Sequence, residues 1–434
     1  MLGYIKLKRM RTFVAILQYL NFPFMGQTKF TWFLILLLLG AKGVVAEDPA
    51  QAIVFRFGGY IHAEFFTDSR RMLSAREGNV PLYPDRVLED PDGNDLNAVR
   101  STTFSLLSSR LNAGISGPTV LGARSSAMFE VDFMGTGPTT FNLVRIRHAF
   151  VRFNWENTEL LAGQYWHPLF ITSCYPGVVM FGGGTPYHVL NRGPQLRLTH
   201  TAGPLTLAGM LVTQSDFASP GPYGTGSTYI RNSGRPEVFG QAIVQWPDFL
   251  AGGSLGYLSL RPRTTTGNGY LSAETMESFS GNLFIRVQIP AISVKAQTIY
   301  GQNMSHLVML GGYGEAELID SDRQIYDYTG IRAWSAWTDL ETRTQPFRAG
   351  LFAGYSRNLG SDKPITGSSW ARGPEIDRMF RISPRIQMVY GSTSFGLELL
   401  YDVAYYGNPD QQFRFEETTP AGNTRLLAAI RYGF

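Results

Sequence analysis

The chain has 434 residues, of which only 17% are charged, and it contains 47 Gly, 29 Phe, 21 Tyr and 7 Trp. Its formal net charge of +4 overstates its basicity. Residues 1–46 contain Lys6, Lys8, Arg9, Arg11, Lys29 and Lys42 and no acid, which leaves 32 basic against 34 acidic residues and a net −2 for the remainder. A nucleic-acid partner therefore has no electrostatic support, and the single cysteine, Cys174, excludes an intramolecular disulfide and a cysteine-based metal framework.

In chain order, the first segment is an export signal. An apolar run from Phe30 to Leu39 follows Lys29, and the small residues Val44 and Ala46 come after it, so residues 1–46 are predicted to be a signal peptide cleaved after Ala46. The stretch ahead of the run is long for a signal, which makes Met10 or Met25 an alternative start. A membrane-anchor helix is the alternative reading of the same run, although a span needs about 20 residues.

From Glu47 onward no apolar run is long enough for a spanning helix. Instead, segments of alternating apolar and polar residues recur. Strands are predicted at 53–67, 100–115, 119–134, 142–153, 158–166, 195–202, 205–214 and 236–246. They continue at 254–265, 276–289, 292–303, 329–341, 346–358, 379–391, 395–407 and 423–434. The joins between them alternate strictly between tight (Gly117-Pro118, Gly203-Pro204, Pro290-Ala291) and long and polar (68–99, 167–194, 304–328). An up-and-down barrel with short turns at one end and long loops at the other requires that alternation, and a soluble sandwich does not. The predicted fold is therefore all-β: residues 47–434 form a single transmembrane antiparallel up-and-down β-barrel of about 16 strands.

Facing patterns support this. "PFRAGLFAGYSRN" turns Phe347, Ala349, Leu351, Ala353 and Tyr355 outward. "FGLELLYDVAYY" turns Phe395, Leu397, Leu399, Tyr401, Val403 and Tyr405 outward, with Glu398 and Asp402 inward. The strands at 205–214 and 254–265 alternate poorly, which suggests a subunit interface in place of lipid. The last strand, "TRLLAAIRYGF", places Leu426, Ala428, Ile430, Tyr432 and Phe434 on one side and Arg425 and Arg431 on the other. A terminal aromatic strand resembles the closing strand of bacterial outer-membrane barrels, which implies recognition of Phe434 by the barrel-assembly machinery.

Sixteen strands enclose an aqueous lumen. The expected pore lining is Arg145, Arg147, Arg197, Arg286, Lys295, Arg332, Arg348, Arg381, Arg385, Arg425 and Arg431, with Arg56 and Arg124 on the same face. The inward acids are fewer: Glu64, Glu130, Asp132, Glu398 and Asp402. For any single arginine two readings stand: attraction of anions, or pairing with a lumen acid to stiffen the wall. The loop 167–194 is too apolar for a solvated surface. Phe170, Ile171, Met180 and Phe181 are expected to fold inward as a constriction, with an oligomer contact as the rival.

No catalytic or metal site is expected, and no cofactor. The six histidines are scattered; His148 is placed on the lipid side between Ile146 and Phe150, and His62 with Glu64 in the lumen. The acidic stretch "EDPDGND" at 89–95 offers oxygen donors of the kind calcium takes, but with Gly93 misplaced for a helix-loop-helix site it reads as a solvated loop.

The hairpin "LVRIRHAFVRFNWENTELLAGQYWHPLF" resembles the DcaP-like trimeric porins of bacterial outer membranes in two stretches, Arg145 to Val151 and Leu161 to Trp166. It departs from them in having no predicted coiled-coil segment ahead of the first strand. The glycine- and aromatic-rich style is similar to barrels of Bacteroidota. The resemblance implies a homotrimeric porin in outer-membrane lipid that passes small anionic solutes and is not an enzyme. The alternative is a plugged barrel acting as a structural subunit of an outer-membrane assembly or secretion machine.

Overall fold

The computed structural model describes residues 53–434 except Pro138, so the expected signal peptide lies outside the described residues. By compactness the described residues divide into a unit of 53–118 with 123–434 and a second that contains 119–122. Of the second, only the turn Thr119–Gly122 is described, where Leu121 and Gly122 take left-handed backbone (φ 52° and 78°).

The strands are β1 (Val54–Asp68), β2 (Met72–Ala75), β3 (Val80–Pro84), β4 (Ser101–Ser105), β5 (Arg110–Val120), β6 (Ala123–Asp132) and β7 (Arg145–Asn154). There follow β8 (Thr158–Trp166), β9 (Arg192–Ala202), β10 (Leu205–Val212), β11 (Glu237–Trp246), β12 (Phe249–Leu260), β13 (Met276–Gln288) and β14 (Ile292–Gln302). The remainder are β15 (Gly311–Asp320), β16 (Ile325–Thr342), β17 (Phe347–Ser361), β18 (Ser369–Arg372), β19 (Ile376–Tyr390), β20 (Thr393–Tyr406) and β21 (Thr419–Gly433). A short helix, α1 (Thr228–Ser233), lies between β10 and β11.

The wall strands pair antiparallel into a closed barrel of 16, with β4 and β5 forming one interrupted wall strand; β15 and β18 pair with each other beyond the wall, so that β14 pairs with β16 and β17 with β19. Closure is made by β1 against β21, in register from Tyr60 opposite Gly433 to Asp68 opposite Arg425. The Gly59 and Phe434 backbones exchange hydrogen bonds of 3.1 and 3.2 Å at the short-turn end. Closure leaves no sheet edge, the condition for strands to cross a membrane with every backbone group satisfied.

The predicted facing holds along β17, where Phe347, Ala349, Leu351 and Ala353 are exposed and Phe352, Gly354, Ser356 and Asn358 are buried. It holds on β21, with Leu426, Ile430 and Tyr432 outside and Arg425, Leu427 and Ala429 inside. The outer wall is a continuous apolar belt in which Leu283 and Phe347 keep 66% and 64% of their surface exposed. Such a surface suits lipid and would drive aggregation in water. Val403 departs from its row and is buried.

Several elements differ from the sequence expectation. The strand expected at 254–265 is Phe249–Leu260, and its poor alternation comes from Gly252, Gly253 and Gly256, which carry no side chain to mark a face. His148 is not on the lipid side. Arg147 is a bulge residue on β7, so His148 pairs opposite Glu130, is only 6% exposed and packs against Tyr165 and Trp166. The long loop after β1 contains a separate hairpin, β2–β3, whose second strand "VPLYP" is buried at every position.

Candidate functional site: the barrel lumen

The interior is built from the inward faces of the wall strands and from long connections that pack against them, chiefly the one holding β2–β3 and the one between β8 and β9, with Met304, Leu307 and Leu310 of the β14–β15 connection beside them. Inward Phe239, Leu250, Phe284, Ile299, Trp337 and Phe352 form one apolar cluster with residues of these connections. From the β2–β3 hairpin come Val80, Leu82 and Tyr83; from the loop between β8 and β9 come Leu169, Ile171, Cys174, Tyr187, Val189 and Leu190. Burying an aromatic or leucine side chain in this way stabilises by roughly 1.5–3 kcal/mol, which is why so apolar a loop lies inside.

That loop touches walls on several sides of the lumen. The Leu169 carbonyl accepts from Asn282 Nδ2 (3.1 Å) and Gln297 Nε2 (3.0 Å) on β13 and β14, and the Ser173 carbonyl accepts from Arg286 Nη1 (2.9 Å). The amides of Val179 and Met180 donate to Glu398 Oε2 (2.7 and 2.8 Å) on β20, and that of Phe181 donates to Glu64 Oε1 (3.0 Å) on β1. Two wall glycines make room for the loop. A Cβ on Gly354 would stand 2.5 Å from the Tyr187 ring, and one on Gly396 would stand 2.7 Å from Val179.

Phe170 stacks on Trp166 (centroids 3.8 Å apart) and Ile171 is buried. Met180 packs with Phe66, Leu400 and Leu427, and Phe181 lies under the guanidinium groups of Arg110 and Arg147. Cys174 is buried, with Sγ 3.2 Å from the Ile285 carbonyl oxygen.

The predicted lining cations divide into two groups. Arg145 holds Asp132 in a two-point fork (2.9 and 2.6 Å) and reaches Asp216 (3.0 Å). Arg147 bridges Glu130 (2.8 Å) and Asp132 (2.7 Å). Arg381 pairs with Asp402 (2.7 Å), Arg425 with Asp68 (2.9 and 2.8 Å), and Arg385 with Asp339 (2.7 Å) and Glu341 (2.8 Å). Arg332 does not line the lumen: the inward row of β16 is Ala333, Ser335, Trp337 and Asp339, so Arg332 shares the outward face of Trp334, where it pairs with the more exposed Asp362 (2.7 Å).

The others have no carboxylate within ion-pair distance among the described residues. Arg197 lies over the Tyr165 ring, Lys295 over Tyr175 and Arg431 over Tyr60 at 3.8 Å. Arg286 bonds only the Ser173 carbonyl, and Arg348 lies against the Gln345 amide. Arg431 and Arg110 line a recess of about 180 Å³ with Tyr60, His62, Val179 and Phe181. His62 Nδ1 is 2.9 Å from Ser108 Oγ.

Sequence reasoning missed the centre of the paired cluster. Asp216, in the loop after β10, takes Arg76 from the β2–β3 turn (2.9 Å), Arg145 from β7 and Arg192 from the start of β9. Every guanidinium and carboxylate in this group has a side chain at most 4% exposed. It also missed a grouping of His167, Glu237 and His306 from three separate elements. The signal in both cases is a buried charge in a loop, which is visible only once the loop is known to lie inside.

The acidic stretch at 89–95 is folded on itself. Asp90 accepts from the amides of Asp92 (2.9 Å) and Asn94 (2.8 Å), and hydrogen bonds from Asn94 hold its carboxyl below the usual carboxylate range. Asp95 is paired with Arg70 at 2.6 Å.

No protein-family profile matches the sequence, and no curated protein does. Among solved structures the fold is similar to the outer membrane channel DcaP of Acinetobacter baumannii (14% identity over 89% of this chain and 99% of that one, TM-score 0.64). It is also similar to OmpT, an outer membrane protein of Vibrio cholerae (9%, covering 89% and 100%, TM-score 0.53). An anion-selective porin from Comamonas acidovorans is a third (9%, covering 88% and 100%, TM-score 0.52). The resemblance to DcaP-like porins read from the β7–β8 hairpin thus extends over the barrel, and the chain has the 16-stranded fold of outer-membrane channels.

Proposed function

We propose that this protein is an outer-membrane porin for small, preferentially anionic solutes. The observation that carries the reading is the uneven pairing of lumen charge. Arg286, Lys295, Arg348 and Arg431, near the short-turn end, have no carboxylate partner among the described residues, and Arg56 and Arg124 stand on the same inward faces. An uncompensated cationic mouth in a low-dielectric wall concentrates anions and repels cations. The loop with Phe170, Ile171, Met180 and Phe181 is the constriction in this reading.

The outer surface offers a face for the homotrimer. Gly209, Gly240, Ala242, Gly253 and Gly281 form the floor of an outward groove of about 1090 Å³, flanked by Leu and aromatic side chains. It includes residues of both stretches, 205–214 and 254–265, whose weak alternation suggested an interface. Outer-membrane lipid is the other partner, and barrel-assembly machinery would read the strand that ends in Phe434.

Reversal potential in planar bilayers under a KCl gradient tests the reading. The expected result is anion-favouring current that swings toward cations in the combined variant Arg348→Glu, Arg431→Glu. Cation-selective current in the unaltered protein would overturn it. A second reading, a plugged barrel serving as a structural subunit of an envelope machine, is favoured by the apolar packing of two connections inside the lumen. It predicts no current until the loop is shortened, and co-purification of a stoichiometric complex.

A further inference from the structure

We infer that His167, Glu237 and His306 form a binding site for one divalent transition-metal cation, zinc being the best fit. The three come from the root of the lumen loop just past β8, from the first residue of β11, and from the 3-10 turn Met304–Leu307. His167 Nε2 is 3.3 Å from Glu237 Oε2, and His306 Nε2 is 3.6 Å from Glu237 Oε1. All candidate ligand atoms lie within 4.8 Å of one another, and the side chains are 2%, 2% and 3% exposed. A tetrahedral zinc with bonds of ~2.0–2.1 Å holds adjacent ligand atoms about 3.3 Å apart, so only small movements close the set.

A second observation points to a cation. His306 Nδ1 faces the Asn303 carbonyl oxygen at 3.2 Å, which fixes the proton on Nδ1 and leaves Nε2 as a bare lone pair. That Nε2 is buried and has no hydrogen-bond partner among the described residues. It is aimed at a carboxylate oxygen, two acceptors that need a proton or a metal cation between them, and His167 at the other oxygen of the same carboxylate completes a set that one metal ion can hold. Asn191 Nδ2 donates to the His306 carbonyl (2.8 Å) and fixes the turn.

His167 needs one adjustment. Its Nδ1 accepts from the Leu169 amide at 3.3 Å, so without metal Nε2 carries the proton that faces Glu237. Metal binding through Nε2 moves that proton to Nδ1 and so ends the 3.3 Å bond from the Leu169 amide, a long hydrogen bond given up for a coordinate bond.

Two neutral imidazoles and one carboxylate are a borderline-soft set suited to zinc. They leave the fourth position to a water molecule, whose ionisation near neutrality brings the site to zero net charge. Occupied, the site clips the lumen loop to the wall at its root.

The test uses the full chain, purified without a histidine tag, folded in detergent, stripped with chelator and exposed to zinc alone. One zinc per chain is expected after gel filtration, with X-ray absorption reporting nitrogen and oxygen ligands at ~2.0–2.1 Å. Glu237→Gln and His306→Asn should each weaken binding by more than the roughly 10–100-fold that loss of an outer hydrogen bond costs, while the exposed His200→Ala should bind as the parent does. Folding of each variant is checked by heat-dependent gel mobility, and if one fails to fold the other decides. Absence of stoichiometric zinc in the parent, or equal binding in a folded Glu237→Gln or His306→Asn, overturns the proposal.

Discussion

Near the long-loop end of the lumen, Arg76, Arg145, Arg147 and Arg192 surround Asp132 and Asp216, each guanidinium buried and bonded to a carboxylate. Near the short-turn end, Arg286, Lys295, Arg348 and Arg431 are at least partly exposed, and none has a carboxylate partner among the described residues. The same residue type does opposite work in the two regions. Where loops exclude water, an arginine must carry its counter-charge with it, because an isolated buried ion costs far more than any contact returns. Where water enters, the charge stays available to a solute. In the porin reading, selectivity therefore depends on where the loops stop, and a count of arginines in the wall cannot give it.

The largest expected break in this contrast is Asp216→Ala. It leaves three buried guanidinium groups facing one another, and removing one partner from a buried charge network costs about 3–5 kcal/mol. Urea unfolding of the barrel in lipid vesicles measures it, with the double variant Asp216→Ala, Arg192→Leu expected to recover part of the loss. If Asp216→Ala unfolds at the parent's urea midpoint, the cluster is not what holds the loops in place.

The next largest concerns the wall's other face. Leu399→Arg on β20 puts a charge into the apolar belt close to the middle of its strand, and a cation near the bilayer midplane costs about 2–4 kcal/mol. The inward neighbour Leu400 is buried against Phe66 and Met180, so Leu400→Ala should cost a similar 2–5 kcal/mol through a cavity. The two losses should respond differently to lipid thickness: the first falls in thinner bilayers and the second does not.

The wall of this barrel was legible because its signal is local. Alternation along "FRAGLFAGYSRN" assigns each side chain a face without knowledge of any other strand, and the order of short and long joins gives strand count and direction. The lumen's interior was not legible, because its determinants are distant in sequence. Arg76, Arg145, Arg192 and Asp216 belong to four segments, and nothing in "RMLSAREGNVPLYP" marks it as a hairpin folded inward. His148 was misplaced for a third reason: a single bulge at Arg147 reverses the parity of everything after it, and bulges leave no trace in a period-two pattern.

The smallest effect is expected where an arginine of the wall has a partner but little burial. Arg332 pairs with Asp362 at 2.7 Å, as short as the bonds in the buried cluster, yet the two side chains are 25% and 59% exposed. At such exposure water screens the pair and competes for both groups, so Asp362→Ala should cost less than about 1 kcal/mol. Measured by the same urea series, this variant separates distance from burial. A loss equal to that of Asp216→Ala would mean that contact geometry alone sets the strength of these pairs, and the burial of the Asp216 cluster would then have no energetic content.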